Sequence, residues 1–138
     1  MPSAARRDRR AVAWLGVVAS VALMVGAAGC GGGSSVSSSP AATVTTLFSD
    51  IQANNCGGAY AQLSSRLQVQ LRGEAGVCPL VNQLSRVYRN NKFHIDSVVT
   101  HGNQADVRAT RTRPSGTSVS TTYSTVVSNN AWRVDSLV

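Results

Sequence analysis

The apolar positions of the chain follow three successive spacings. Residues 11–25 are an unbroken uncharged, mostly apolar run. From Val44 to Tyr88 apolar residues recur every three or four positions, the period of a helix with one buried stripe. Ser39-Pro40 suits a helix start, with serine as the cap and proline at the first helical position. Val44, Leu47, Phe48 and Ile51 then form one stripe, and Asn54-Asn55 ends it. Tyr60, Leu63, Leu67 and Leu71 predict a second helix, stopped by Gly73. Pro79 opens a third, carrying Leu80, Val81, Leu84, Val87 and Tyr88 up to Asn90-Asn91.

From residue 93 the period falls to two, the alternation of strands with one buried face. Phe93, Ile95 and Val99 oppose His94, Asp96 and Thr100, with Val98 out of phase. Gly102-Asn103-Gln104 turns the chain. Ala105, Val107 and Ala109 then alternate with Asp106, Arg108 and Thr110. Pro114-Ser115-Gly116 is a second turn, followed by a Thr/Ser/Val-rich strand with Val119, Tyr123 and Val127 on one face. Ser128-Asn129-Asn130 leads into a last strand holding Trp132, Val134 and Val138. The expected class is α+β: three N-terminal helices packed on a four-stranded antiparallel meander. The meander's outer face is rich in Ser and Thr, which leaves a homodimer open.

The N-terminal run sits behind four arginines, Arg6, Arg7, Arg9 and Arg10, and ends in Gly26-Ala27-Ala28-Gly29 before Cys30. Charge, apolar run and small residues in that order are the regions of an export signal, with the arginines kept on the cytoplasmic side. The ending Ala27-Ala28-Gly29-Cys30 resembles the lipobox of bacterial lipoproteins, with alanine where the family prefers leucine at 27. The resemblance implies a signal peptide over 1–29 and a lipid on Cys30. It places the protein on the extracytoplasmic side of the cell membrane. A retained helix over 11–29 is one alternative, since nineteen residues can just span a bilayer, and ordinary signal cleavage with release is another. Gly31-Gly32-Gly33 and the serines that follow make 30–40 a flexible tether to a single domain over 41–138.

Charge changes this picture little. The chain carries +7, but +3 of that lies before residue 11, and the later cations are scattered. Arg86, Arg89 and Lys92, and then Arg108, Arg111 and Arg113, come nearest to clusters and read as solvated faces. No basic stripe with interleaved aromatics is present, so nucleic acid is not an expected partner. With Cys30 assigned to a lipid, Cys56 and Cys78 remain, and an exported pair is expected as a disulfide.

Helices followed by an antiparallel sheet ending in Trp132-Arg133-Val134-Asp135-Ser136 resemble the nuclear-transport-factor-2-like superfamily, with its cystatin-like α+β fold, over about 41–138. The resemblance is to small exported bacterial members of unknown function. It implies a curled, cone-shaped sheet around a cavity, faced by Phe93, Ile95, Ser97, Val107, Thr121, Tyr123, Trp132 and Val134. The implied function is non-catalytic binding of an apolar small molecule or a membrane-complex protein. An accessory subunit held by an uncleaved transmembrane helix and a ketosteroid isomerase-like enzyme are the alternatives. The isomerase would need an inward carboxylate and an oxyanion donor. Tyr123 could donate, but Asp96, Asp106 and Asp135 fall on the polar face by alternation. His94 and His101 stand seven residues apart on one extended strand, too far to share a metal. No metal or cofactor is expected.

Overall fold

A computed structural model describes residues 38–136. The segment expected to be an export signal, Cys30 and residues 31–37 of the expected tether lie outside the described residues. Among the described residues, no helix is long and apolar enough to cross a membrane.

Four helices precede four strands: α1 (Pro40–Gln52), α2 (Cys56–Ala61), α3 (Ser65–Gln70), α4 (Glu74–Tyr88), β1 (Lys92–His101), β2 (Gln104–Thr112), β3 (Ser118–Ser128) and β4 (Ala131–Val134). Ser39 caps α1 through its hydroxyl, which accepts from the Ala42 amide, and Pro40 stands at the first position. Asn54 closes α1 in the left-handed region at φ 55°. Its amide bonds the Ile51 carbonyl and the Asn55 amide reaches back to Asp50, the two bonds of a Schellman cap.

The second expected helix is two helices. Leu63 forms a parallel bridge with Val134, and the backbone of 62–64 pairs with that strand: Ser64 N–H donates to Val134 O and Val134 N–H to Gln62 O, both at 2.8 Å. This pairing covers the outer edge of β4 and interrupts the helix. Ser64 then caps α3 by accepting from the Leu67 amide at 3.1 Å. The third expected helix starts at Glu74 rather than Pro79, so the proline lies inside α4. At the sixth position of α4, Pro79 forfeits the intrahelical bond that its own N–H would have made to the Ala75 carbonyl.

Cys56 and Cys78 are disulfide-bonded, with Cα atoms 5.0 Å apart, and pin the start of α2 to the first half of α4. Glu74 lies beside them, its Oε1 3.9 Å from the Cys56 sulfur.

The sheet is a meander in the order β1-β2-β3-β4, all neighbours antiparallel. Asn129 and Asn130 both have positive φ and turn β3 into β4 in two residues, as a type I′ hairpin requires. A bulge between Ile95 and Ser97 shifts the register of β1. Before it Ile95 opposes Ala109, and after it Val98 opposes Val107. Side chains directly opposite share a face, so the bulge brings Val98 inward and turns Ser97 and Val99 outward. It also puts His94 and His101 on the same outer face, opposite Thr110 and Gln104.

Val44, Leu47, Ile51, Leu67, Val107 and Val134 are among the core residues that join the inner face of the sheet to the helices. The C-terminal end of the sheet is locked to α3 by Asp135. Its carboxylate accepts from the Ser64 hydroxyl at 2.5 Å and from Arg66 Nη2 at 2.7 Å. The Arg66 guanidinium foremost, and the Ser64 hydroxyl, hold the Asp135 carboxyl below the usual carboxylate range against the opposing effect of burial. A carboxylate whose pKa falls on folding stabilises the fold above its unfolded value near 4, and that contribution is lost as pH drops through the lower folded value. The pH-dependent part of the wild-type advantage over Asp135→Asn in urea midpoint should therefore shrink below about pH 4. A constant difference across that range would contradict it. Arg66 is solvent-exposed, so the effect is modest and weakens in salt.

Candidate functional site

The helices and the inner face of the sheet form a half-open cavity of about 520 Å³. Its walls come mainly from helices. α1 supplies Val44, Leu47, Phe48 and Ile51. Ala59 of α2, with Leu63 and Leu71 on either side of α3, closes one flank. α4 supplies Val77, Leu80, Val81, Leu84 and Tyr88. The sheet contributes only Arg111, Thr121 and Tyr123. Val44, Leu47, Ala59, Leu63, Val77 and Val81 are buried, while Leu80 is 39% exposed, so the cavity has a dry floor and an accessible rim.

Of the eight residues expected to face a cavity, Thr121 and Tyr123 line it. The others are elsewhere for identifiable reasons. Val107 and Val134 are fully buried in the core beneath the helices. Trp132 is buried, and its backbone is tied to the start of α1 by the Trp132 amide donating to Ser38 Oγ and by Thr43 Oγ1 donating to the Trp132 carbonyl. Phe93 is spent on an aromatic stack, 4.2 Å from the Phe48 ring centroid, and meets Tyr123 edge-on. Ile95 packs against the core without reaching the cavity. Ser97 is exposed because the bulge turned it outward.

Arg111 is the cavity residue that reading by local charge missed. It opposes Val119 and continues the inward series Ala105, Val107, Ala109, so strand alternation places it inside. Its guanidinium lies over the Tyr88 ring, 4.2 Å from the centroid. Nη1 is buried with no hydrogen-bond partner among the described residues. Burial foremost, aided by Tyr88 and opposed by Arg111, pushes the Tyr123 phenol above its ordinary pKa. Tyr123 therefore remains a protonated donor at neutral pH. The five acidic residues between 38 and 136 are Asp50, Glu74, Asp96, Asp106 and Asp135, and none lines the cavity. Neither histidine lines it either.

Chemically, the site offers an apolar volume within the range of small-molecule pockets. One end carries three donor-bearing side chains, Arg111, Tyr123 and Thr121. With Cys56 and Cys78 in a disulfide, the nearby Cys56, Cys78 and Glu74 offer no free thiolate.

No family model matches the sequence, and no curated protein matches it. Solved structures do match in fold. A protein of Campylobacter jejuni proposed to be an NTF2-like transpeptidase superposes with a TM-score of 0.55 at 11% identity, over 72% of this chain and all of that one. An NTF2-like protein of unknown function from Cytophaga hutchinsonii gives 0.42 at 10% identity, over 70% and 88% of the two chains. At such identities the likeness concerns the fold alone. Residues 38–136, helices followed by a curled four-stranded antiparallel sheet, thus share the α+β fold of the NTF2-like Campylobacter protein.

Proposed function

We propose that this protein is an exported, lipid-anchored binding module that takes an apolar small molecule into the cavity between its helices and sheet. The observation that carries the reading is the cavity itself: about 520 Å³, walled by aliphatic and aromatic side chains. An apolar recess of this size, open at its rim, lies within the range of small-molecule sites. The lipid on Cys30 and the tether over 30–40 would hold the domain at the outer face of the cell membrane, close to a source of apolar ligands.

A non-catalytic role is preferred on the composition of the walls. An isomerase of the ketosteroid type needs a carboxylate base against the substrate, and the cavity wall has no carboxylate. The transpeptidase activity proposed for the Campylobacter protein does not carry over on fold alone.

Filling the cavity tests the reading. Leu84 is half-buried on the wall. Leu84→Trp would occupy the space from the rim without entering the buried floor. Full-length wild-type protein should bind the neutral fluorophore N-phenyl-1-naphthylamine at one site. Leu84→Trp, folded as judged by circular dichroism, should bind it about tenfold more weakly or not at all, the effect of overpacking a site. Equal binding by both proteins, or no binding by wild type, would overturn the proposal.

A further inference from the structure

We infer that the ligand is an apolar carboxylate, with its chain among the helices and its anionic end on Arg111. The inference rests on the reading of the cavity as a ligand site and specifies the chemistry at one end of it.

Among the described residues that line the cavity, Arg111 is the sole charged one. A guanidinium N–H removed from water normally meets a carboxylate or carbonyl acceptor, because a buried unsatisfied donor is costly. Here the face of the guanidinium rests on the Tyr88 ring. Stacking uses the π-face of the group and leaves its in-plane N–H edge unused. Nη1 on that edge is buried and has no partner among the described residues.

The neighbouring polar atoms agree in sign. Thr121 and Tyr123 stand two residues apart on the inner face of β3, Thr121 diagonal to Arg111 across the ladder and Tyr123 one inward position further along, opposite Val107. Both present hydroxyls, and the Tyr123 phenol is held protonated. Three donor groups without an acidic neighbour complement an acceptor-only group. A planar carboxylate matches the paired N–H bonds of a guanidinium. The apolar remainder of the cavity then suits an aliphatic chain rather than a small polar acid.

Displacement of N-phenyl-1-naphthylamine from the full-length protein at neutral pH tests this with two probes of equal chain length, dodecanoate and 1-dodecanol. Wild type should prefer the acid by about tenfold or more, the worth of a hydrogen bond to a charged group. In Arg111→Met, which keeps an apolar stem over Tyr88, the preference should vanish while 1-dodecanol binds as before. Equal displacement by both probes in wild type would overturn the carboxylate and leave the cavity reading standing. A preference that survives in Arg111→Met would overturn Arg111 as the group that reads the carboxylate, and a parallel loss of both probes there would make Arg111 a wall of the cavity rather than a reader of charge. Failure of both probes and of the fluorophore to bind wild type would sink the cavity reading as well.

Discussion

Gly76→Ala should destabilise the domain by about 3 kcal/mol or more, a large share of the ~5–15 kcal/mol that holds a domain of this size together. A Cβ placed on Gly76 would stand 1.8 Å from the carbonyl oxygen of Leu71 and 3.0 Å from its carbonyl carbon. The obstacle is backbone, so no rotamer change relieves it. That backbone is itself tightly held. Gly73, at φ 75°, donates its amide to Gln68 O, and Arg72 donates to Val69 O, closing α3 in a Schellman cap. Gly76 and Val77 then bond back to the Gly73 carbonyl as α4 begins. A methyl group at 76 must push α3 and α4 apart, and α4 carries Val77 and Val81 into the core. Gly57→Ala is the control. Its Cβ would meet only Glu74 Oε1 at 3.4 Å, and alanine favours a helix over glycine by roughly 1 kcal/mol. Urea midpoints should fall sharply for Gly76→Ala and hold or rise for Gly57→Ala. Equal midpoints at position 76 would contradict the turn geometry.

Loss of the disulfide should cost a comparable amount. Cys56 and Cys78 are 22 residues apart in sequence, and the loop-closure model assigns a bridge of that span about 3 kcal/mol. For about a hundred residues this corresponds to a fall in Tm of roughly 10–20 °C. The double variant Cys56→Ser/Cys78→Ser should show that fall, as should wild type treated with a reductant. The loss also reaches the cavity, because the bridge joins α2, which carries Ala59, to α4, which carries Val77 and Val81. Fluorophore binding should weaken below the melting transition as well as above it. Two free thiols in protein exported by its own cell would remove the premise.

The parts of this fold that were legible in the sequence are those set by local chemistry. The Ser39 cap, Pro40 at the first helical position and Asn54 past the end of α1 can be read from residue preferences at helix termini. The meander order follows from turn residues between alternating runs. The break between α2 and α3 was not legible, because Tyr60, Leu63, Leu67 and Leu71 keep helical spacing across it. What interrupts the helix is pairing of 62–64 with β4, about seventy residues later in the chain. The β1 bulge was visible only as Val98 falling out of phase.

The cavity was half legible. The cavity-facing set implied by the family resemblance included Thr121 and Tyr123, but most of the wall belongs to helices. Alternation along β2 places Arg111 inside. Its neighbours Arg108 and Arg113 made it look like part of a solvated cluster, and that local charge pattern masked the strand parity. A cation at an inward strand position is the signal that would have found it.

The central claim, that the cavity holds a small molecule, is tested most directly by mass. Full-length protein purified gently from its own cell should be weighed in its native state and again after denaturation. Extra mass that is lost on denaturation and recovered as an apolar carboxylic acid is the expected result. The same mass in both states, from protein whose fluorophore site is also closed to N-phenyl-1-naphthylamine, would contradict it.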